Sequence, residues 1–232
     1  IQKLAEEGIL FRQAYCASPM CSPSRAALLT GQSPHSCGQF GLVNCGFTLR
    51  DPEKHLAHTL KNNGYYTALY GLQHVHLNPA VLGYERIVEI QKNERNIDGV
   101  LYKYDAEPTT QAAIEFLNEQ PRQPFFLTVG YFETHHDFPK LGPDDDIRYC
   151  PIPAPLPDTP PIREGMARFK ASAKILDNNM GAVIDALETN GLKDNTLVIC
   201  TTDHGIPFPG MKTCLTGHGT GVMMMLCGPG EF

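Results

Sequence analysis

No run of 18 apolar residues occurs in the 232-residue sequence, and the apolar stretches at 124–132 and 222–227 have only the length of buried strands, so no membrane-spanning helix is expected. Positive charge is also in short supply. Lys and Arg total 19 against 25 Asp and Glu, a net charge of −6, which leaves no basic footprint for nucleic acid. An anionic substrate would have to be met by a local cluster of cations. The eight cysteines, at 16, 21, 37, 45, 150, 200, 214 and 227, include no Cys-x-x-Cys pair and no zinc-like spacing, and leave the redox compartment open. A Gly-x-Gly-x-x-Gly run after a strand is missing, which argues against a dinucleotide. No internal repeat and no linker divides the chain. Residues 1–8 form an amphipathic helix ending at a glycine, not a signal peptide. With 42% hydrophobic residues, the length suits one large α/β domain.

Along the chain, helical and strand patterns alternate. A glycine-punctuated loop at 32–46 precedes a helix expected over 52–63, closed by Gly64. Residues 65–69 are β-rich and read as a parallel core strand. Residues 78–108 are polar and without period, an excursion over the surface. A helix over 109–119 and a buried strand over 124–132 follow. The segment 142–161, rich in proline and acid, reads as a surface loop whose Asp144-Asp145-Asp146 run is a solvated face rather than a cation site. A long helix is expected over 163–189, its core stripe made by Phe169, Ala173, Leu176, Met180, Val183 and Leu187 at helical spacing. Residues 196–202 read as another parallel strand and 222–226 as a last apolar one.

Chemistry concentrates at strand ends and at one helix start. The stretch Cys21-Ser22-Pro23-Ser24-Arg25-Ala26-Ala27-Leu28-Leu29-Thr30-Gly31 places Pro23 in a first helical turn, where its missing N–H costs nothing, and ends in a glycine. Cys21 then sits at the positive end of a helix dipole beside Arg25, a place that favours an anion. His74 lies just beyond the strand at 65–69. Glu133-Thr134-His135-His136-Asp137 follows the strand at 124–132, and Asp203-His204-Gly205 follows the strand at 196–202. Ligands of open parallel sheets bind beyond the carboxyl ends of the strands. Each of these residues alone has an ordinary structural explanation: a half-buried cysteine, a structural histidine, a solvated turn. Their convergence carries the functional reading.

Cys-x-Pro-Ser-Arg followed by Leu-Thr-Gly resembles the signature of the type I sulfatases of the alkaline phosphatase superfamily. Within them the sequence is most similar to the heparan N-sulfatases, or sulfamidases, through Pro124-Phe125-Phe126-Leu127 and through Thr196-Leu197-Val198-Ile199 leading to Asp203-His204-Gly205-Ile206-Pro207-Phe208-Pro209. The resemblance implies an α/β fold with a mostly parallel central sheet flanked by helices on both faces. Residues 1–232 would form a single, incomplete catalytic domain lacking its first strand, which carries two metal-binding aspartates, and its C-terminal part. It implies oxidation of Cys21 to formylglycine by a maturation enzyme, and hydrolysis of a sulfuric ester or sulfamate on a sulfated sugar resembling N-sulfoglucosamine. A divalent cation, Ca²⁺ in most members, would be held by Asp203 and His204, the latter where many members have asparagine. Arg25 would hold the hydrated aldehyde, His74 would be its partner, and Lys212 would bind the sulfo group. His136 would be the general acid for the leaving group, with His135 competing for register, and His35 would face the substrate. The implied setting is soluble: periplasmic, secreted or lysosome-like rather than cytoplasmic, with no membrane or nucleic-acid partner.

One departure stands out. Where the family usually has lysine after the glycine, this sequence has Leu72, and Gln73 supplies a hydrogen bond but no charge. Two other functions remain open at this point: a phosphonate or phosphodiester hydrolase of the same superfamily, and a catalytically silent protein that binds sulfated glycans.

Overall fold

The computed structural model describes residues 1–89, 95–97, 100–102, 106–143 and 145–229. Residues 90–94, 98–99 and 103–105 of the 78–108 stretch, and Asp144 of the acidic run, lie outside the described residues; the described part of that stretch is not the surface excursion expected, because Leu82 and Tyr84 are buried in the core and Arg86–Val88 joins the parallel sheet as a strand. In chain order the elements are α1 (Gln2–Glu7), β1 (Ile9–Leu10), α2 (Cys21–Thr30), α3 (Pro34–Cys37), α4 (Leu56–Asn62), β2 (Tyr66–Gly71), β3 (Arg86–Val88), β4 (Arg95–Ile97) and β5 (Val100–Tyr102). They continue with α5 (Ala106–Asn118), β6 (Phe125–Gly130), α6 (Pro160–Thr189), β7 (Val198–Thr201), α7 (Gly217–Thr220) and β8 (Met224–Cys227).

The parallel sheet has β2 at its centre, between β3 and β6. Alternation along β2 sends successive side chains to opposite faces, and both faces are apolar. Leu69, with Phe126 of β6 and Ile87 of β3, packs on Ala26 of α2 and Ala57 of α4. Ala68 and Tyr70, with Phe125, Leu127 and Val129, pack on Ala113, Phe116 and Leu117 of α5 and Leu187 of α6. Helices therefore cover both faces, as the α/β expectation required. At the carboxyl ends of the two strands Gly71 pairs with Gly130, and a Cβ on Gly71 would stand 2.3 Å from the Gly130 carbonyl oxygen. Only glycines allow the two backbones to turn away here at such close range.

The strand at 196–202, expected to be parallel, is not. β7 pairs antiparallel with β8, which in turn pairs antiparallel with β1. Residues 202–223, which join the two strands, hold only the four-residue α7 and no crossover helix packed on the sheet, and they return the chain in the opposite direction. The helix expected over 52–63 is also interrupted. Residues Pro52–Lys54 form a single 3₁₀ turn, and His55, with φ −66 and ψ 141, is extended and caps α4 by accepting from the Ala57 N–H at 3.2 Å.

The long helix α6 lies along α5, but its most buried positions are Met166, Ala167, Ser172, Asn179, Ala186 and Leu187. The predicted stripe is rotated by about one position: of its members only Leu187 is buried. Phe169 packs edge-on to Phe138 at 5.7 Å, and Val183 and Met180 lean on the two sheets. The rotation has a polar cause, since Asn179 is drawn into the seam to accept from the Thr110 hydroxyl of α5 at 2.6 Å while its own amide donates to the Ile175 carbonyl at 2.9 Å. In the acidic loop Asp146 forks onto its neighbour Arg148 in an exposed pair, as a solvated charge run should.

Candidate active site

Helix α2 starts at Cys21 because Met20 is extended and Pro23 falls in the first turn; it ends at Gly31, whose φ of 65 only glycine adopts freely. Cys21 and Arg25 are four residues apart, one above the other on one face. Val43 donates its N–H to the Ser22 hydroxyl at 3.1 Å, which anchors the glycine-rich loop beside this helix start.

The turn after β7 meets that face. The Ser24 hydroxyl donates to the Asp203 carbonyl. Arg25 Nε donates to Asp203 Oδ2 at 2.9 Å, in a pair only about one-fifth exposed. His204 donates from Nδ1 to the Gly205 carbonyl at 2.7 Å, which turns Nε2 toward Cys21 Sγ at 3.2 Å and Asp203 Oδ1 at 3.7 Å. The turn has room for no side chain at 205: a Cβ there would stand 1.8 Å from the His218 carbonyl oxygen.

Electrostatics follow from this packing. Burial alone would push the Cys21 thiol up, but hydrogen bonds from His204 and His74 and the charge of Lys212 outweigh it, and the group falls to about 5. Burial likewise opposes the Asp203 charge, yet Arg25 and His204 hold the carboxyl below its ordinary range. His204 is raised: burial opposes its charge, while the bond to Cys21 and the Asp203 carboxylate favour it.

His74 follows β2 with a left-handed φ of 54, uncommon for a residue with a Cβ. Gln73 explains how that conformation is held. Its buried side-chain oxygen accepts from the N–H groups of Val75, at 2.5 Å, and His76, at 2.9 Å, and its amide donates to the His76 carbonyl at 2.5 Å. The amide expected to serve a ligand is spent on the turn instead. On the other side Lys212 Nζ donates to His135 Nε2 at 3.1 Å, and His135 Nδ1 donates to the His136 carbonyl at 2.7 Å. Burial, and then the nearby lysine, keep His135 below its ordinary value. His136 donates from Nε2 to the Pro207 carbonyl at 2.7 Å and packs on Phe138. Of the two neighbours it is thus His135 that joins Lys212. His35, exposed on α3, lies edge-on to Phe40 at 5.5 Å, and no hydrogen bond or ion pair among the described residues ties it to Cys21, Asp203 or His204.

Sequence reasoning passed over Ser24, Gln73 and His135 as positioning groups. Ser24 was visible inside the signature. Gln73 and His135 carry no spacing signal, because their roles depend on which way a turn closes. Cys21, Asp203 and His204 each offer a donor atom within 4.8 Å of the others. Asp203 Oδ1 and His204 Nε2 suit a divalent cation, since Arg25 and Gly205 occupy the other polar atom of each side chain.

This geometry can be set beside known proteins. The chain is 30% identical over 257 residues to human N-sulphoglucosamine sulphohydrolase, an alignment covering 99% of this chain and 50% of that protein. It is 25% identical over 259 residues to an ulvan-active sulfatase of Formosa agariphila, covering 100% of this chain and 43% of the other. The chain thus spans about half the length of the curated relatives it matches. In fold it is similar to the solved structure of Ps i-CgsB, with a TM-score of 0.74 at 24% identity over 98% of this chain and 59% of that one. No helix among the described residues is long and apolar enough to cross a membrane. The Sulfatase family model matches residues 1–232, with the signature helix, the aspartate–histidine turn and the covered parallel sheet all inside the match, and the chain belongs to the sulfatase family.

Proposed function

We propose that the protein containing this chain is a sulfuric ester or sulfamate hydrolase acting on sulfated sugars of the N-sulfoglucosamine type, and that residues 1–232 are part of its catalytic domain. The observation that carries this reading is the meeting of Cys21 and Arg25 at the start of α2 with Asp203 and His204 at the end of β7. The names of the sulphohydrolase and sulfatase relatives support the substrate class.

In this reading Cys21 is converted to formylglycine by a maturation enzyme and supplies, in hydrated form, the hydroxyl that attacks sulfur. The second hydroxyl then expels sulfate as the aldehyde reforms, so no water has to attack a sulfated enzyme. His74 faces residue 21 and takes its proton. Arg25 keeps Asp203 ionised and offers its remaining N–H donors to the anion. Lys212, held by His135, binds the sulfo group, and the His135–His136 segment is the leaving-group side, where proton donation to the departing sugar oxygen or nitrogen belongs. His136 itself, through Pro207, braces the 205–209 loop. Asp203 Oδ1 and His204 Nε2 would hold a divalent cation, Ca²⁺ by family habit, which when bound polarises sulfo oxygens. His35 with Phe40 forms an outer contact for the sugar. A periplasmic, secreted or lysosome-like setting fits such a substrate.

The test is peptide mass spectrometry of the full-length protein made with a formylglycine-generating system, followed by sulfate release from N-sulfoglucosamine and from O-sulfated sugars. Aldehyde at position 21 with sulfate release, abolished in Cys21→Ala, is the expected result. An unmodified thiol beside a converted control substrate would overturn it in favour of a glycan-binding protein. Faster turnover of phosphate diesters would overturn it in favour of the phosphodiesterase reading.

A further inference from the structure

Residues 131–136 leave β6 at the site end of the sheet, and a helix grips them there. A Cβ on Gly71 would stand 3.0 Å from Thr109 Cγ2, which puts the first turns of α5 beside the carboxyl ends of β2 and β6. The Ala106 N–H at the start of α5 donates to Glu133 Oε1 at 3.0 Å. The first N–H groups of a helix have no partner within it and form the positive end of its dipole, so a carboxylate suits this place on both counts. Two residues before Glu133, the Tyr131 hydroxyl meets Thr110 Oγ1 at 3.0 Å, and Thr110 is joined in turn to Asn179 of α6.

The grip extends toward the site. Past Glu133, the His135 N–H donates to the Phe132 carbonyl at 2.8 Å, closing a tight turn, and the His135 ring lies on that of Phe132 with centroids 4.8 Å apart. His135 Nε2 then accepts from Lys212 Nζ at 3.1 Å. A lysine ammonium swings on a flexible four-carbon stem, so its aim depends on the partner that holds it. That partner sits on a turn whose middle is fastened to α5, and α5 is itself anchored by the fully buried Ala113, Phe116 and Leu117. A side chain that must be held in one place needs such a rigid support.

We propose that Glu133 is a positioning residue: by holding the start of α5 it fixes the turn that carries His135, and through His135 it aims the Lys212 ammonium at the sulfo group of the substrate. It acts through the contacts Ala106 to Glu133, Phe132 to His135 and His135 to Lys212, and no proton moves along them. The proposal rests on the reading of Lys212 as the sulfo-binding cation.

The experiment compares full-length wild type with Glu133→Ala and Glu133→Gln. In Glu133→Ala the imidazole NMR signals of His135, assigned with a His135→Gln control, should shift. KM for N-sulfoglucosamine should rise at least about tenfold, the worth of one hydrogen bond to a charged group, while kcat changes less. Glu133→Gln keeps a neutral oxygen for the Ala106 N–H and should fall between the two proteins in both readouts, which decides the matter if Glu133→Ala does not fold. A helix cap with no further role predicts a lower urea midpoint with the His135 signals and KM unchanged, and that result in a folded variant would overturn the proposal. If wild type releases no sulfate from any sulfated sugar, the hydrolase reading fails, and the His135 signals alone uphold or overturn the hold of Glu133 on the turn.

Discussion

His55 makes a sharp forecast about the acid tolerance of the layer that supports the Cys21 helix. Its ring is fully buried, packed edge-on to Tyr84 at 5.5 Å, and its Nδ1 is committed as the cap of α4. Nε2 has no hydrogen-bond partner among the described residues. Burial, with the neighbouring His58 adding to it and the Leu82 carbonyl offsetting part, depresses the ring from 6.5 to about 4. The folded protein therefore keeps His55 neutral where the unfolded chain protonates it. Below 6.5 the unfolded state binds more protons, so the stabilisation is complete above pH 6.5 and is lost as pH falls toward 4. At about 1.36 kcal/mol per pH unit the full gap from 6.5 to about 4 corresponds to roughly 3 kcal/mol, of which about 2 disappears between pH 7 and pH 5. Urea unfolding at the two pH values isolates the contribution when wild type is compared with His55→Asn, which keeps a capping oxygen but does not titrate. Wild type should lose about 2 kcal/mol more than the variant over this interval. Equal losses, or an imidazole NMR titration of His55 centred near 6.5, would refute the reasoning.

Three further outcomes follow from the site. Gln73→Ala strips the acceptor from the Val75 and His76 N–H groups; their amide exchange should accelerate and kcat of the full-length protein should fall more than KM changes, and Gln73→Glu, which keeps the acceptor but sets a carboxylate oxygen against the His76 carbonyl, should restore only part of it. Gly205→Ala must displace the His218 carbonyl and should cost at least about 2 kcal/mol in chemical unfolding. Arg25→Ala leaves the Asp203 carboxylate without its cation and should cost about 1–3 kcal/mol, discounted for partial exposure, while Arg25→Lys should fall between, keeping charge but not the Nε geometry; urea midpoints distinguish the three proteins.

What the sequence showed of this molecule, and what it did not, divides by the range over which each choice is made. Helix α2 was readable from one end to the other because its start, its first-turn proline and its closing glycine are local. The parallel sheet was readable because β2 and β6 are apolar on both faces, which only a covered strand tolerates. The direction of β7 was not, since an apolar strand has the same composition whichever way its partner runs, and its partner β8 comes only after the irregular 202–223 segment that turns the chain back. The helix break at His55 escaped for a related reason: histidine is an unremarkable residue inside a helix until its ring is needed as a cap. In α6 the apolar stripe was real, but periodicity weighs hydrophobic residues alone. The seam is set by a hydrogen bond between Asn179 and Thr110 that no apolar count can register.

The candidate site obeys the same division. Cys21, Arg25, Asp203 and His204 were each visible from their positions at a helix start or a strand end, and the fold brings together residues 178 to 183 apart in the chain. Adjacent residues posed the harder question, because His135 and His136 differ by one step in an irregular turn, where no period assigns faces. In the structure His136 Nε2 donates to the Pro207 carbonyl, and His135 Nε2 meets Lys212. Gln73 is the converse case, a polar side chain beside the site whose atoms are spent on the turn that presents His74. Leu72, standing where a lysine would bring charge, therefore has no substitute in Gln73. The cation charge acting on Cys21 comes instead from Lys212, while Arg25, one turn along the same helix, is paired with Asp203.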